Sequence, residues 1–107
     1  MPFENMMPHA LSNMSVMAHA PAAPGLYGLS NASEWIYIGV TNNIQAQLIE
    51  HLREQGTPVM LRRPAGFTYE ICARDRQSAR HHRLCAEYAP VCNRAAGSGD
   101  PSERKRQ

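Results

Sequence analysis

Two tyrosines and a histidine are the groups in this chain that could act together: Tyr27 and Tyr37, ten residues apart, and His51 on the amphipathic stretch that follows. Gly25-Leu26-Tyr27 and Tyr37-Ile38-Gly39 lie in short β-rich runs separated by Ser30-Asn31-Ala32-Ser33, so a hairpin would bring both phenols near one surface. Gln47 and His51 are four apart and would share one face of the next helix. Phenols and imidazoles pass protons and hydrogen bonds, which is the equipment of general acid and base chemistry. Each residue alone has a plain reading, as a strand aromatic or a polar helix residue. Their order and spacing together make them a candidate site.

Two further groups could do chemistry. Arg62, Arg63, Arg76, Arg80 and Arg83 could contact phosphates, with steep salt dependence as the mark of it, or could form a solvated face. His81 and His82 are adjacent, and adjacent helix residues point about 100° apart, so they do not chelate one ion as a pair. His81 with His51 across the site is the alternative, with imidazoles suited to zinc or another transition metal.

The elements that must position these residues follow from periodicity and punctuation. Within residues 4–19, a short helix after Pro8 would place Leu11, Met14, Met17 and Met7 along one side, either packed on the domain or as a flexible lead-in. Pro21 and Pro24 force the chain to arrive extended at a first strand, 25–29. A second strand, 34–40, alternates Trp35, Tyr37 and Gly39 against Ile36, Ile38 and Val40; the isoleucine side is the expected core face, leaving Tyr37 available. Thr41 and Asn42 offer caps for a helix over 43–55 with Ile44, Leu48 and Leu52 buried and Gly56 as its stop. Residues 57–66 read as a loop, 67–73 as a third strand with one buried side, and 75–89 as a basic helix capped by Asp75 and ended by Pro90. After Arg94 almost nothing is apolar, so 94–107 is expected to be a disordered tail.

Length and composition set limits. At 107 residues the chain has room for one domain, here placed at 21–93, with 1–20 as an N-terminal extension. The net charge is only +2, but of eleven basic residues all except Lys105 are arginine, a composition that permits phosphate binding without requiring it. Cys72, Cys85 and Cys92 form no C-x-x-C pair and read as reduced thiols. No apolar run approaches the roughly 20 residues that span a bilayer, and the Met-rich start lacks a signal-peptide pattern, so a cytoplasmic protein with no membrane partner is expected.

Pro24-Gly25-Leu26-Tyr27, then Ile36-Tyr37-Ile38-Gly39-Val40-Thr41-Asn42-Asn43-Ile44, then Leu48 and His51-Leu52, and finally Pro90-Val91-Cys92-Asn93, resemble the GIY-YIG nuclease superfamily over residues 21–93. The resemblance implies an α/β fold with a small mixed three-stranded sheet flanked by helices. It also implies an endonuclease-like domain acting on DNA, with Mg²⁺ or another divalent metal if active. Tyr27, Tyr37, His51 and Asn93 match its site positions directly. Where the family has an arginine this chain has Gln47, and where it has a metal-binding glutamate the best register gives His81. The expectation is therefore a DNA-binding domain with weak or lost hydrolysis, to which a protein partner could supply specificity. The alternative is a noncatalytic interaction or regulatory scaffold built on the same fold.

Overall fold

The computed structural model describes residues 8–93. The expected tail over 94–107, and Met7 with the start of the extension, lie outside them. The element order is β1 (His9–Ala10), α1 (Asn13–His19), β2 (Gly25–Ser30), β3 (Trp35–Thr41), α2 (Ile44–Arg53), α3 (Pro58–Leu61), β4 (Gly66–Ile71) and α4 (Arg74–Tyr88). The small sheet flanked by helices is as expected, with two differences of detail. A two-residue strand, β1, pairs with β4 and makes the sheet four-stranded in the order β1-β4-β2-β3. Every pairing among the described residues is antiparallel rather than mixed. β3 and β4 do run in the same direction, but β2 lies between them, so no parallel ladder forms.

Both faces of the sheet are covered, which is why strict two-sided alternation did not describe it. On one face Tyr27, Leu29 and Phe67 pack with Val16 of α1 and Ile44 and Leu48 of α2. On the other, Leu26 and Ile38 pack beneath Leu84 of α4. β2 is buried at all six positions because it is an interior strand, flanked by β4 and β3, with a helix layer on each side. Likewise Phe67 and Thr68, neighbours on β4 that point oppositely, are both buried, against the expectation of one buried side. Val40, placed in the core by alternation, is instead exposed near the end of the edge strand.

Local chemistry explains the ends of the helices. Asn43, not Thr41 or Asn42, caps α2: its side-chain oxygen accepts from the Ala46 N–H, while the Thr41 hydroxyl accepts from the Asn43 N–H. The Pro21–Pro24 segment supplies carbonyls to the next orphan donors, with Ala23 O accepting from Ile44 N–H and Pro21 O from Gln45 N–H. α2 ends at Glu54, two residues before Gly56. The expected loop over 57–66 contains a single helical turn, α3, capped by the Thr57 hydroxyl and anchored by buried Met60. α4 begins after Ala73 with no side-chain cap; Asp75 sits in its first turn, where a carboxylate favours the helix dipole. α4 stops at Ala89, held in the left-handed region at φ 48°, and Pro90 follows.

In α1, Val16 is the core residue while Met14 and Met17 face solvent, so the methionine side is not the packed side. β1 and α1 are joined by stacking of His9 on His19, with ring centroids 4.4 Å apart.

Candidate active site

The cross-strand pairing of Tyr27 with Gly39 builds the site. A Cβ at Gly39 would lie 2.7 Å from Cζ and the hydroxyl of Tyr27 and 2.8 Å from Cε2 of Tyr37. Glycine is thus what lets the Tyr27 ring cross the neighbouring strand and meet Tyr37, at 6.1 Å between centroids. From above, α2 lowers His51 onto both: its ring centroid is 5.5 Å from that of Tyr27 and 6.0 Å from that of Tyr37. The Tyr27 hydroxyl and His51 Nε2 are hydrogen-bonded at 2.8 Å. Two phenols and one imidazole do converge, but beneath a helix rather than on an open strand surface. Tyr27 is 2% exposed and belongs to the core, so its phenol reaches outward only through His51.

Burial governs the electrostatics. Desolvation, reinforced by Tyr37 and Glu50, pushes the Tyr27 phenol well above the ordinary tyrosine range. Tyr37 is also raised, first by burial and then by the nearby Cys85 and Cys92 thiols. His51 is lowered by burial, partly opposed by Glu50 and Glu54. Near neutral pH the pair therefore rests as a neutral phenol and a neutral imidazole sharing one proton between oxygen and Nε2. Such a pair can relay a proton, but it holds neither a ready phenolate nor an imidazolium.

Asn93 and His81 surround the backbone of Ile38, one residue beyond Tyr37 on the outer edge of β3. Asn93 grips it twice: its Oδ1 accepts from the Ile38 N–H at 2.6 Å, and its Nδ2 donates to the Ile38 carbonyl at 2.9 Å. The amide acts as one rung of a missing neighbour strand, which holds Tyr37 in register. The same carbonyl accepts from His81 Nε2 at 2.8 Å. A carbonyl can only accept, so His81 must carry its proton on Nε2. Cys85, one turn along α4, has its sulfur 3.5 Å from that nitrogen. The alternative of a His81–His51 metal pair is not assembled: the two rings approach opposite faces of the sheet, and each commits Nε2 to another partner.

Gln47 is half-buried on α2, one turn before His51 as its spacing requires, and brings no positive charge. Two of the five candidate arginines are engaged in ion pairs. Arg80 turns inward and makes a bidentate ion pair with Glu70 of β4, Nε to Oε2 at 2.6 Å and Nη2 to Oε1 at 2.8 Å. Their side chains are only 17% and 9% exposed. That pair holds α4 against the sheet and removes Arg80 from any phosphate-facing surface. Arg62, half exposed, pairs with Glu34 at 3.3 Å. Arg63, Arg76 and Arg83 are exposed, Arg63 with a left-handed backbone at φ 59°.

A divalent metal of the magnesium kind does not fit the residues present. Mg²⁺ takes oxygen ligands, usually one or two carboxylates. His81 presents an imidazole N–H, Glu70 is engaged by Arg80, and among the described residues no group of three or more His, Cys, Asp or Glu side chains could hold an ion. Sequence reasoning passed over two residues here, Cys85 and Glu70. Cys85 was detectable as the i+4 neighbour of His81; Glu70 was not, because its partner is set by packing between β4 and α4.

No protein-family model and no curated protein sequence matches the chain. Solved structures do. The GIY-YIG N-terminal endonuclease domain of UvrC from Thermotoga maritima, bound to its catalytic divalent cation magnesium, aligns at 22% identity over 73% of this chain and 91% of that one, with a TM-score of 0.61. Point mutants of the same domain with an asparagine replaced by alanine or a tyrosine by phenylalanine align at 21% identity over 73% of this chain and 90% of theirs, also at 0.61. An antiparallel hairpin carrying both tyrosines, covered by helices on each face, is therefore a GIY-YIG-like fold, and by fold this chain is a GIY-YIG-like domain.

Proposed function

We propose that this chain is an endonuclease-derived domain that binds DNA, a pseudoenzyme in which metal-dependent phosphodiester hydrolysis is weak or lost. The observation that carries the reading is His81: where the resemblance asks for a metal-binding carboxylate, an imidazole N–H donates to the Ile38 carbonyl. Gln47 adds to it. An amide can hydrogen-bond a phosphate oxygen but cannot neutralise developing charge, and losing one such stabiliser typically costs about 100- to 1000-fold in rate, roughly 3 to 4 kcal/mol. Tyr27 with His51 retains a proton relay, and Tyr37 and Asn93 retain the scaffold around it. These parts could orient a phosphodiester and a water; the charge that must meet the transition state has no donor among them.

A plasmid-nicking assay with Mg²⁺ tests this. The unmodified chain should leave supercoiled plasmid intact, and Gln47→Arg with His81→Glu should restore measurable nicking; brisk cleavage by the unmodified chain refutes the proposal. DNA binding is tested by anisotropy across a salt series, with affinity expected to fall steeply as salt rises. Exposed Arg63, Arg76 and Arg83 would be the phosphate contacts, Arg62 a weaker one.

A second reading, a noncatalytic scaffold for a protein partner, is favoured by the two ion pairs that engage Arg62 and Arg80. Absence of DNA affinity at low salt would select it. Under either reading a partner protein would supply specificity, and a cytoplasmic setting suits the chain: no helix of the described residues is long and apolar enough to cross a membrane.

A further inference from the structure

The ion pairs of Arg80 and Arg62 are unlike. Arg80 and Glu70 meet through two nitrogens and two oxygens at 2.6 and 2.8 Å, with both side chains largely out of water. Arg62 offers a single nitrogen, Nη1, to both oxygens of Glu34 at 3.3 and 3.4 Å, and its side chain is half exposed. Charge-assisted hydrogen bonds of full strength run at about 2.7 to 2.9 Å, and ion pairs in contact with water contribute little. The first pair is part of the fold, whereas the second is open to exchange.

The backbone that carries the second pair is fixed. Asn31 ties its two halves together: Nδ2 donates to the Arg62 carbonyl at 3.1 Å, and Oδ1 accepts from the Ser33 and Glu34 N–H groups at 2.8 and 3.0 Å. The turn between β2 and β3 and the residue that ends α3 therefore present Glu34 and Arg62 side by side. The guanidinium also borders the candidate site. Burial raises the Cys92 thiol, and Arg62 beside it opposes that rise. The same thiol helps to raise the Tyr37 phenol, after burial and Cys85. The next residue, Asn93, grips the backbone of Ile38, adjacent to Tyr37. A guanidinium thus stands one thiol away from Tyr37, in a site to which Gln47 brings no charge.

We propose that Arg62 is a latent phosphate contact on the Tyr37 side of the candidate site, and that Glu34 holds it back until a nucleic-acid phosphate displaces the carboxylate. Exchange favours the phosphate on two counts. A guanidinium fork matches phosphate oxygens with two nitrogens, whereas Glu34 is met by one. A DNA duplex also concentrates about one negative charge per 1.7 Å of axis, a denser field than a lone half-exposed carboxylate. The inference rests on the DNA-binding reading and adds to it a residue that restrains binding. Glu34 acts here as a positioning residue, through Arg62.

The experiment is anisotropy of a labelled DNA duplex with the full chain, across a salt series, for the parent, Glu34→Gln, and Glu34→Gln with Arg62→Gln. Freed from its carboxylate, Arg62 should raise low-salt affinity by at least about threefold and steepen the slope of log K against log salt by about 0.9. The double variant should lose both gains. Thermal melts establish that each variant folds, and Glu34→Ala serves the same arm if the glutamine variant does not. A gain that survives in the double variant would be a general effect of removing negative charge and would overturn the proposal. No gain in Glu34→Gln would overturn it too, while salt-dependent binding by the parent kept the DNA-binding reading in place. Failure of the parent and both variants to bind at low salt would overturn both.

Discussion

Replacing Arg80 with methionine should unsettle the fold while leaving the salt dependence of any DNA binding unchanged. Arg80 and Glu70 are joined by two hydrogen bonds of 2.6 and 2.8 Å, and the Glu70 side chain is only 9% exposed. Removing the guanidinium leaves a carboxylate that is largely out of water and lacks its counter-ion. Breaking a buried pair from one side typically costs about 3 to 5 kcal/mol; with Arg80 itself 17% exposed, the lower end, about 3 kcal/mol, is the expected loss. For a domain of this size each kcal/mol shifts the melting temperature by roughly 4 to 8 °C, so the melt should fall by roughly 12 to 24 °C. Adding Glu70→Leu should recover most of that loss, since an apolar pair of similar volume often replaces a buried ion pair at little cost. Thermal melts of the two single variants and the double variant give the coupling directly. Were Arg80→Met to melt within about 1 kcal/mol of the parent and lower the salt slope of DNA binding by about one, Arg80 would be a phosphate contact and the inward pairing would be wrong.

Other predictions follow from the same geometry. Gly39→Ala should cost about 1 to 3 kcal/mol by forcing a methyl into the Tyr27 and Tyr37 rings, and an unchanged melt would mean those rings are not packed across the strand. Tyr27→Phe should cost about 1 to 2 kcal/mol in denaturant titrations, because it leaves His51 Nε2 without its 2.8 Å partner in a half-buried setting. Burial lowers the His51 pKa below the ordinary value of 6.5, so the unfolded chain takes up a proton first as pH falls. Its contribution to stability is thus intact above that value and declines below it until folded His51 also protonates; His51→Gln should flatten the profile between about pH 7 and 5. Ala89→Gly should raise stability by about 0.5 to 1 kcal/mol in thermal melts by relieving the left-handed C-cap at φ 48°, and a lower melt would contradict that strain.

Much of the site was legible before any coordinates. Periodicity located the hairpin, the α2 stripe of Ile44 and Leu48, and the i, i+4 placement of Gln47 and His51. What misled was the assumption of a single buried face. Alternation along the hairpin strands cannot reveal that a second helix layer covers the tyrosine side, so both phenols were expected near a surface, while Tyr27 on β2 is in the core and Tyr37 on β3 is half-buried. The α2 cap was misassigned by one or two residues because Thr41, Asn42 and Asn43 run together and only backbone geometry selects which one faces the free N–H groups, and the α4 cap because Asp75 is the one Asx residue near a start whose N-cap, Ala73, has no capping side chain.

Sequence alone determined the main helices and strands, the order of the tyrosines and the histidine, and the neutral side chains at Gln47 and His81. Those are properties of neighbours a few residues apart, where the chain's own period sets who lies beside whom. Tertiary structure alone decided how the polar groups are spent: Arg80 on Glu70, His81 and Asn93 on the Ile38 carbonyl, His51 on Tyr27. These partners lie between ten and fifty-five residues apart, brought together by strand register and by the layering of α2 and α4 on opposite faces of the sheet. A side chain's donor or acceptor is assigned by which backbone edge the folded sheet turns towards it, and no local pattern carries that information.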